Sequence, residues 1–185
     1  MRKLYLFNMI SVDGLFEGQN KWELDWHKVD AEFQEFAIKQ LNSTDILLFG
    51  RTTYEGMASY WSSPDAIKDD PIIAKKMNSI PKIVFSKTLK KAEWINTKLI
   101  NNNSAEEISK LKQQIGGDIG IFGSADLASN LINDHLIDEF RIIVSPVILA
   151  KGNPLFNKIN KRINLQLSKT KIFGNGNVLL YYDIV

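Results

Sequence analysis

The apolar residues of this chain fall into short runs separated by stretches of helical spacing. Residues 4–10 form the first run, and Asp45-Ile46-Leu47-Leu48-Phe49, Lys82-Ile83-Val84-Phe85 and Ile119-Gly120-Ile121-Phe122 form the next three. Each is nearly continuous in hydrophobicity, the pattern of a strand covered on both faces, so these four are expected at the centre of a sheet. Between the first two, Val29, Phe33, Phe36, Ala37 and Leu41 recur at intervals of three and four. That spacing predicts a helix with these residues against the sheet and Lys28, Glu32, Glu35 and Lys39 toward water. Ser104-Ala105-Glu106-Glu107 has the spacing of a capping box, and Ile108, Leu111 and Ile115 continue it as an apolar stripe that stops at Gly116-Gly117. Leu127, Leu131 and Ile132 predict a further short helix, ending near Asn133 and Asp134 before residues 140–144 resume as strand. Residues 165–173 and 178–185 flank Gly174-Asn175-Gly176-Asn177, whose Asn-Gly pair favours a tight hairpin turn, so the sheet is expected to finish antiparallel. The sum is an α/β fold with a mostly parallel twisted sheet and helices on both faces. No repeat, low-complexity tract or long linker divides it, and residues 1–185 are expected to form one domain.

Composition narrows the function classes. The 23 Lys+Arg nearly balance the 21 Asp+Glu, and a net charge of +2 provides no general pull toward nucleic acid or anionic membrane. The lysines at Lys75-Lys76, Lys90-Lys91 and residues 158–162 lack the interleaved aromatics of a base-stacking platform and read as solvated faces. Cysteine is absent, which removes disulfides, thiolate nucleophiles and metal-thiolate sites, and a reducing cytoplasm is the expected location. The charged start followed by residues 4–10 reads as a strand rather than a signal, because Asn8 interrupts the run and no small-residue cleavage site follows. His27 and His135 have no metal-ligand spacing and read as solvated or hydrogen-bonded side chains; no metal is expected. No G-x-S-x-G elbow supports serine hydrolysis.

In open α/β sheets ligands collect beyond the carboxyl ends of the strands, where helix N-termini point outward. The turns that follow the strands are therefore informative: Phe49-Gly50-Arg51-Thr52-Thr53, Phe85-Ser86-Lys87-Thr88 and Phe122-Gly123-Ser124-Ala125-Asp126-Leu127. Glycine and serine let a ligand approach the backbone, and free amides at a helix start hydrogen-bond phosphate oxygens. Arg51 and Lys87 add cations. Any one such turn alone reads as an ordinary helix cap. Three at one sheet edge suit a dinucleotide, and the cations favour NADPH over NADH through its additional phosphate. The G-x-G-x-x-G fingerprint is missing after the first strand, where Ser11-Val12-Asp13-Gly14 stands instead.

These residues also carry a resemblance. Leu48-Phe49-Gly50-Arg51-Thr52-Thr53-Tyr54-Glu55 resembles the strand and turn of dihydrofolate reductases, and Ile121-Phe122-Gly123-Ser124-Ala125-Asp126-Leu127 their glycine-rich pyrophosphate loop. Ser11-Val12-Asp13-Gly14, Glu23-Leu24-Asp25-Trp26, Leu136-Ile137-Asp138-Glu139 and Ser145-Pro146-Val147-Ile148-Leu149 are similar to the dihydrofolate-reductase-like family that includes the C-terminal reductase domain of the riboflavin-biosynthesis deaminase-reductase. The resemblance runs almost end to end. It implies a dihydrofolate-reductase-like fold, with Gly50, Arg51 and Thr52 at one phosphate, Ser86 and Lys87 near the adenosine 2′-phosphate, Gly123, Ser124, Ala125, Asp126 and Leu127 at the pyrophosphate, and Asp13 and Gly14 near the nicotinamide. Gly123-Ser124 stands where dihydrofolate reductases have a Gly-Gly pair, and the arginine that grips their folate tail has no counterpart around Ile80-Pro81-Lys82.

Two carboxylates are the catalytic candidates. Asp13 follows a central strand and would position or protonate a substrate, although Asp-Gly is equally a common turn. Asp25 lies between Trp22 and Trp26, whose rings would wall a flat substrate while the carboxylate binds ring nitrogens; packing and capping explain the same residues. The expected activity is NADPH-dependent hydride transfer to a small heterocyclic or carbonyl substrate, resembling 5-amino-6-(5-phosphoribosylamino)uracil reductase. The alternatives are dihydrofolate reduction or a non-catalytic nucleotide-binding dimeric module. A homodimer is expected from the family, the chain itself offering only the apolar residues 142–149.

Overall fold

The apolar runs emerge as strands in a computed structural model that describes residues 1–185. The chain runs β1 (Leu4–Ser11), β2 (Leu15–Glu17), α1 (Ala31–Ser43), β3 (Thr44–Gly50), α2 (Arg51–Trp61), α3 (Pro64–Asp69), α4 (Pro71–Ser79), β4 (Lys82–Phe85), β5 (Thr97–Ile100), α5 (Ser104–Gln113), β6 (Asp118–Phe122), α6 (Ala125–Asn133), β7 (Glu139–Ser145), β8 (Asn153–Pro154), β9 (Leu165–Ile172) and β10 (Val178–Ile184). Eight of the strands form one sheet in the order β5-β4-β3-β6-β1-β7-β10-β9, while β2 and β8 pair separately. The four runs expected at the centre are neighbours there, all parallel, with Leu48 beside both Ile83 and Ile121. β10 runs antiparallel to both β7 and β9, as the Asn-Gly turn predicts.

Helices cover both faces. Ile108 and Leu111 of α5 and Ala125, Leu127, Ala128, Leu131 and Ile132 of α6 pack with Leu4, Leu6, Ile119 and Ile121 in one core. On the opposite face Leu41 of α1, Tyr54 of α2 and Ile73 and Met77 of α4 pack with Tyr5, Leu47, Phe49 and Val84. No helix is long and apolar enough to cross a membrane. Ile142 and Ile143, considered above as interface residues, are buried in this sheet, because β7 lies between β1 and β10.

Three local expectations are corrected. Asp30 caps α1 by accepting from the Phe33 amide, so the helix starts after Val29, which is left 52% exposed. The capping box does not form: Ser104 is already inside α5, behind a left-handed Asn103 that makes no side-chain cap. Ile115 falls beyond the end of α5 and is fully exposed. Helices α2, α3 and α4 were not expected. Pro64 and Pro71 stand at the first turn of α3 and α4, where the missing N–H costs nothing. In α2 the apolar positions Tyr54, Met57, Ala58 and Trp61 are interrupted by Gly56, which weakens the helical signal.

Candidate functional site

Because β1, β3, β4 and β6 are parallel and in register, their carboxyl ends reach one edge of the sheet together, and a cleft of about 1720 Å³ opens there. That exceeds the roughly 300–1,000 Å³ of a pocket for one small ligand. The three turns singled out in the sequence converge on it. Gly50, Arg51, Thr52, Ser86, Lys87, Gly123, Ser124, Ala125, Asp126 and Leu127 all line the cleft.

The β3 and β6 turns are tied to each other. The Ser124 hydroxyl accepts from the Gly50 amide at 2.8 Å, and the Ser124 amide donates to the Thr53 hydroxyl at 3.0 Å. Each turn passes directly into a helix, α2 and α6, and neither helix has a side-chain cap. The first amides of both helices therefore keep their donor capacity and their positive dipole end at the cleft. Gly123 and Ser124 stand consecutively in the left-handed region, at φ 62° and 58°. A Cβ on Gly123 would sit 3.1 Å from the Thr53 methyl, so the turn fits glycine best. Ser124 tolerates the same conformation where its side chain gains the Gly50 bond. The donor set of amides and hydroxyls matches phosphate oxygens. Two cations border it. The Arg51 guanidinium reaches Glu55 at 2.7 Å and the Thr88 hydroxyl at 2.7 Å, and Lys87 is exposed beside Ser86, whose own hydroxyl accepts from the Thr88 and Leu89 amides.

The other half of the cleft lies between the end of β1, residues 16–29, α1 and the later turns of α2. Its wall is carried by a segment fastened at both ends. Glu17 accepts from the Trp22 amide at 2.6 Å and from Asn153 at 2.7 Å, while Glu23 accepts from Asn20. At the far end the Lys28 carbonyl accepts from Asn177 at 2.9 Å, and Glu32 accepts from the Gly174 amide at 2.9 Å, so the β9–β10 turn braces it. Trp22 has φ 66°, which turns its ring onto α2 at Gly56; a Cβ there would lie 2.1 Å from the ring. Trp22, Asp25, Phe33, Tyr60 and Trp61 line this half, as the pairing of Asp25 with flanking rings anticipates in part; Trp26 instead packs with Met9, Phe33 and Phe36 in the core.

Asp13 and Gly14 are placed differently. The Asp13 carboxylate accepts from the amides of Leu149 at 3.1 Å and Ala150 at 2.8 Å, fastening the loop after β7 rather than lining the cleft. Donors from Ser11 and these amides hold its carboxyl below the usual range, the opposite of a proton donor's requirement. Gly14, at φ 83°, makes the turn and accepts from the Leu155 amide.

Two cleft residues were missed in the sequence. Asn8, the residue that interrupts the first apolar run, is 8% exposed; its Oδ1 accepts from the Met9 amide while Nδ2 is buried without a partner. His27, expected to be solvated or hydrogen-bonded, instead has a buried Nε2 with no partner, and burial pushes its pKa down to about 4. The signal for Asn8 was present, an amide inside a core strand, which needs a reason.

Comparison with known proteins places this arrangement. The profile of the RibD C-terminal domain matches residues 2–179. The uncharacterized protein YyaP of Bacillus subtilis is 35% identical over 183 residues, covering 98% of this chain and 94% of that protein. A Shewanella sp. PV-4 protein with a suggested role in riboflavin biosynthesis superposes with a TM-score of 0.76 at 22% identity, covering 99% of each chain. Dihydrofolate reductase from Enterococcus faecalis, solved with NADP(H), superposes with a TM-score of 0.64 at 16% identity, over 98% of this chain and 96% of that one. At these identities the two structures show a shared dihydrofolate-reductase-like fold.

Proposed function

The chain belongs to the RibD C-terminal domain family, a family of reductase domains, and from that premise we propose that it is an NADPH-dependent reductase of a small heterocyclic or carbonyl substrate. The observation that carries the proposal is the tie between the two uncapped helix starts, Gly50 to Ser124 and Ser124 to Thr53, at the mouth of one cleft. The amides of α2 and α6 would hold the pyrophosphate with Arg51 at one of its phosphates, and Lys87 would take the 2′-phosphate. The chemistry that a dihydronicotinamide would supply there is a hydride for a polarised C=N or C=O carbon, whose π pair would pass to nitrogen or oxygen and be protonated.

The chain's own share is placement. Trp22 packed on Gly56 holds the 16–29 segment against α2, and the apolar wall of α1 and α2 orients the ring. Asp25 is the candidate carboxylate that lines the cleft, and it holds the N–H of a ring whose partner atom takes its proton from solvent at the mouth. Asp13 fixes the loop after β7, outside the cleft lining.

Thermal unfolding with each coenzyme tests the proposal. A ligand at a hundred times its Kd adds about 2.7 kcal/mol, and so raises the Tm of a chain this size by about 5–10 °C. NADPH is expected to produce that shift, NADH a smaller one, and Lys87→Ala is expected to reduce the NADPH shift to the NADH level. No shift with either coenzyme refutes the reading, and equal shifts in the unsubstituted protein refute the role of Lys87.

A further inference from the structure

Resting on the reductase reading, we infer that the substrate half of the cleft takes a flat ring bearing neither phosphate nor carboxylate, a neutral or cationic molecule. The distribution of charge along the lining carries this. The lysine and arginine side chains that line the cleft are Arg51 and Lys87, both at the phosphate end. Between β1, the 16–29 segment, α1 and α2 the charged residues are carboxylates, Glu17, Asp25 and Asp70, with no ammonium or guanidinium to answer an anion. Lys21 and Lys28 belong to the segment that walls this half, yet neither lines it, and the Lys28 ammonium points to the Asn175 carbonyl at 3.4 Å. The helix start nearest the wall is already satisfied, since Asp30 caps α1.

What does line this half suits an uncharged ring. Trp22, Phe33, Tyr60 and Trp61 present apolar and aromatic surface. The unpartnered Nδ2 of Asn8, on a side chain more than nine-tenths buried, is a donor waiting for a ring carbonyl or ring nitrogen. His27 adds a second unpartnered polar atom, and Asp25 an acceptor for an N–H or a cationic ring. An anionic substituent in the same space would be stripped of water beside carboxylates with no compensating cation, whereas a neutral amide-like edge finds partners. A phosphoribosyl chain or a glutamate tail therefore has no anchor here.

Calorimetric titration with paired probes decides the matter: riboflavin against FMN, and 6-hydroxymethylpterin against pterin-6-carboxylate. The titrations are run with the phosphate end filled by saturating NADPH or, should NADPH fail to bind, stripped of cations by Arg51→Ala and Lys87→Ala. Failure of NADPH to bind thus refutes the reductase reading while the pairs still judge this inference. The neutral member of each pair is expected to bind at least tenfold more tightly, and Asp25→Lys is expected to shrink that ratio severalfold. Equal affinities, tighter binding of the anionic member, or binding of neither member overturns the inference.

Discussion

His27 makes stability depend on pH in a window where few other groups change charge. The ring is largely buried between Trp26, which meets it edge-on at 4.3 Å, and the cleft, and its Nε2 has no partner. Burial lowers its pKa to about 4 in the folded protein, against about 6.5 in an unfolded chain. The sign follows from proton counting. Between those values the unfolded state holds a proton that the folded state refuses, so stability is fully present above pH 6.5 and falls as pH drops toward 4. From pH 7 to pH 5 the two binding curves separate by about 2 kcal/mol, a large part of the roughly 5–15 kcal/mol that holds a domain together. Urea unfolding at pH 7, 6 and 5 measures it. His27→Gln keeps a polar side chain and removes the titration, so its stability is expected to decline about 2 kcal/mol less than that of the unsubstituted protein over this span. Parallel declines, or a His27 ring resonance titrating near pH 6.5, would refute the argument.

Two further perturbations follow from packing. Alanine normally exceeds glycine inside a helix by about 1 kcal/mol, but at Gly56 its Cβ would lie 2.1 Å from the Trp22 ring. Gly56→Ala is therefore expected to destabilise the protein alone and to stabilise it by about 0.5–1 kcal/mol in a Trp22→Ala background, a double-mutant cycle by urea unfolding; the same sign in both backgrounds defeats the contact. Lys82 is 1% exposed, and its ammonium donates to the carbonyls of Met77 at 2.8 Å, Ile80 at 2.8 Å and Asn78 at 3.2 Å at the end of α4. Lys82→Met leaves the Met77 and Ile80 carbonyls without that donor, while the Asn78 carbonyl keeps the Asn96 side-chain amide at 3.3 Å. It is expected to cost about 3 kcal/mol by the same assay, and a loss below about 0.5 kcal/mol would show that water replaces the ammonium.

The parts of the fold that were legible in the sequence share a physical cause. β1, β3, β4 and β6 are buried on both faces, so burial alone writes them as apolar runs, and the turns at their carboxyl ends follow from their common direction. That is why Gly50, Ser86 and Gly123 were placed together without knowledge of any contact. Helices α2 to α4 were hidden because they cover only one face, carry Gly56 in mid-helix and begin at prolines easily taken for loop. Asp13 was ambiguous for a different reason. An Asp-Gly turn at the end of a central strand is compatible with either chemistry or a loop brace, and the decision lay with Leu149 and Ala150, more than a hundred residues away. His27 and Asn8 were missed because an unsatisfied polar atom is a property of the packed neighbourhood, which no local spacing encodes.

This difference in legibility reflects a difference in construction. On the proposed reading the phosphate end is made chiefly of backbone amides at strand-to-helix turns, so it depends on the parallel strands keeping their register, and the fold that carries them is shared at 22% identity with a TM-score of 0.76. The proposed substrate end is lined by side chains brought from β1, the braced 16–29 segment, α1 and α2. On that reading, family membership carries far more weight for the proposed hydride donor than for its acceptor. Loss or gain of a single cation on the substrate wall changes the charge class of the molecule admitted, while Gly50, Ser124 and Thr53 go on holding the same two helix starts together.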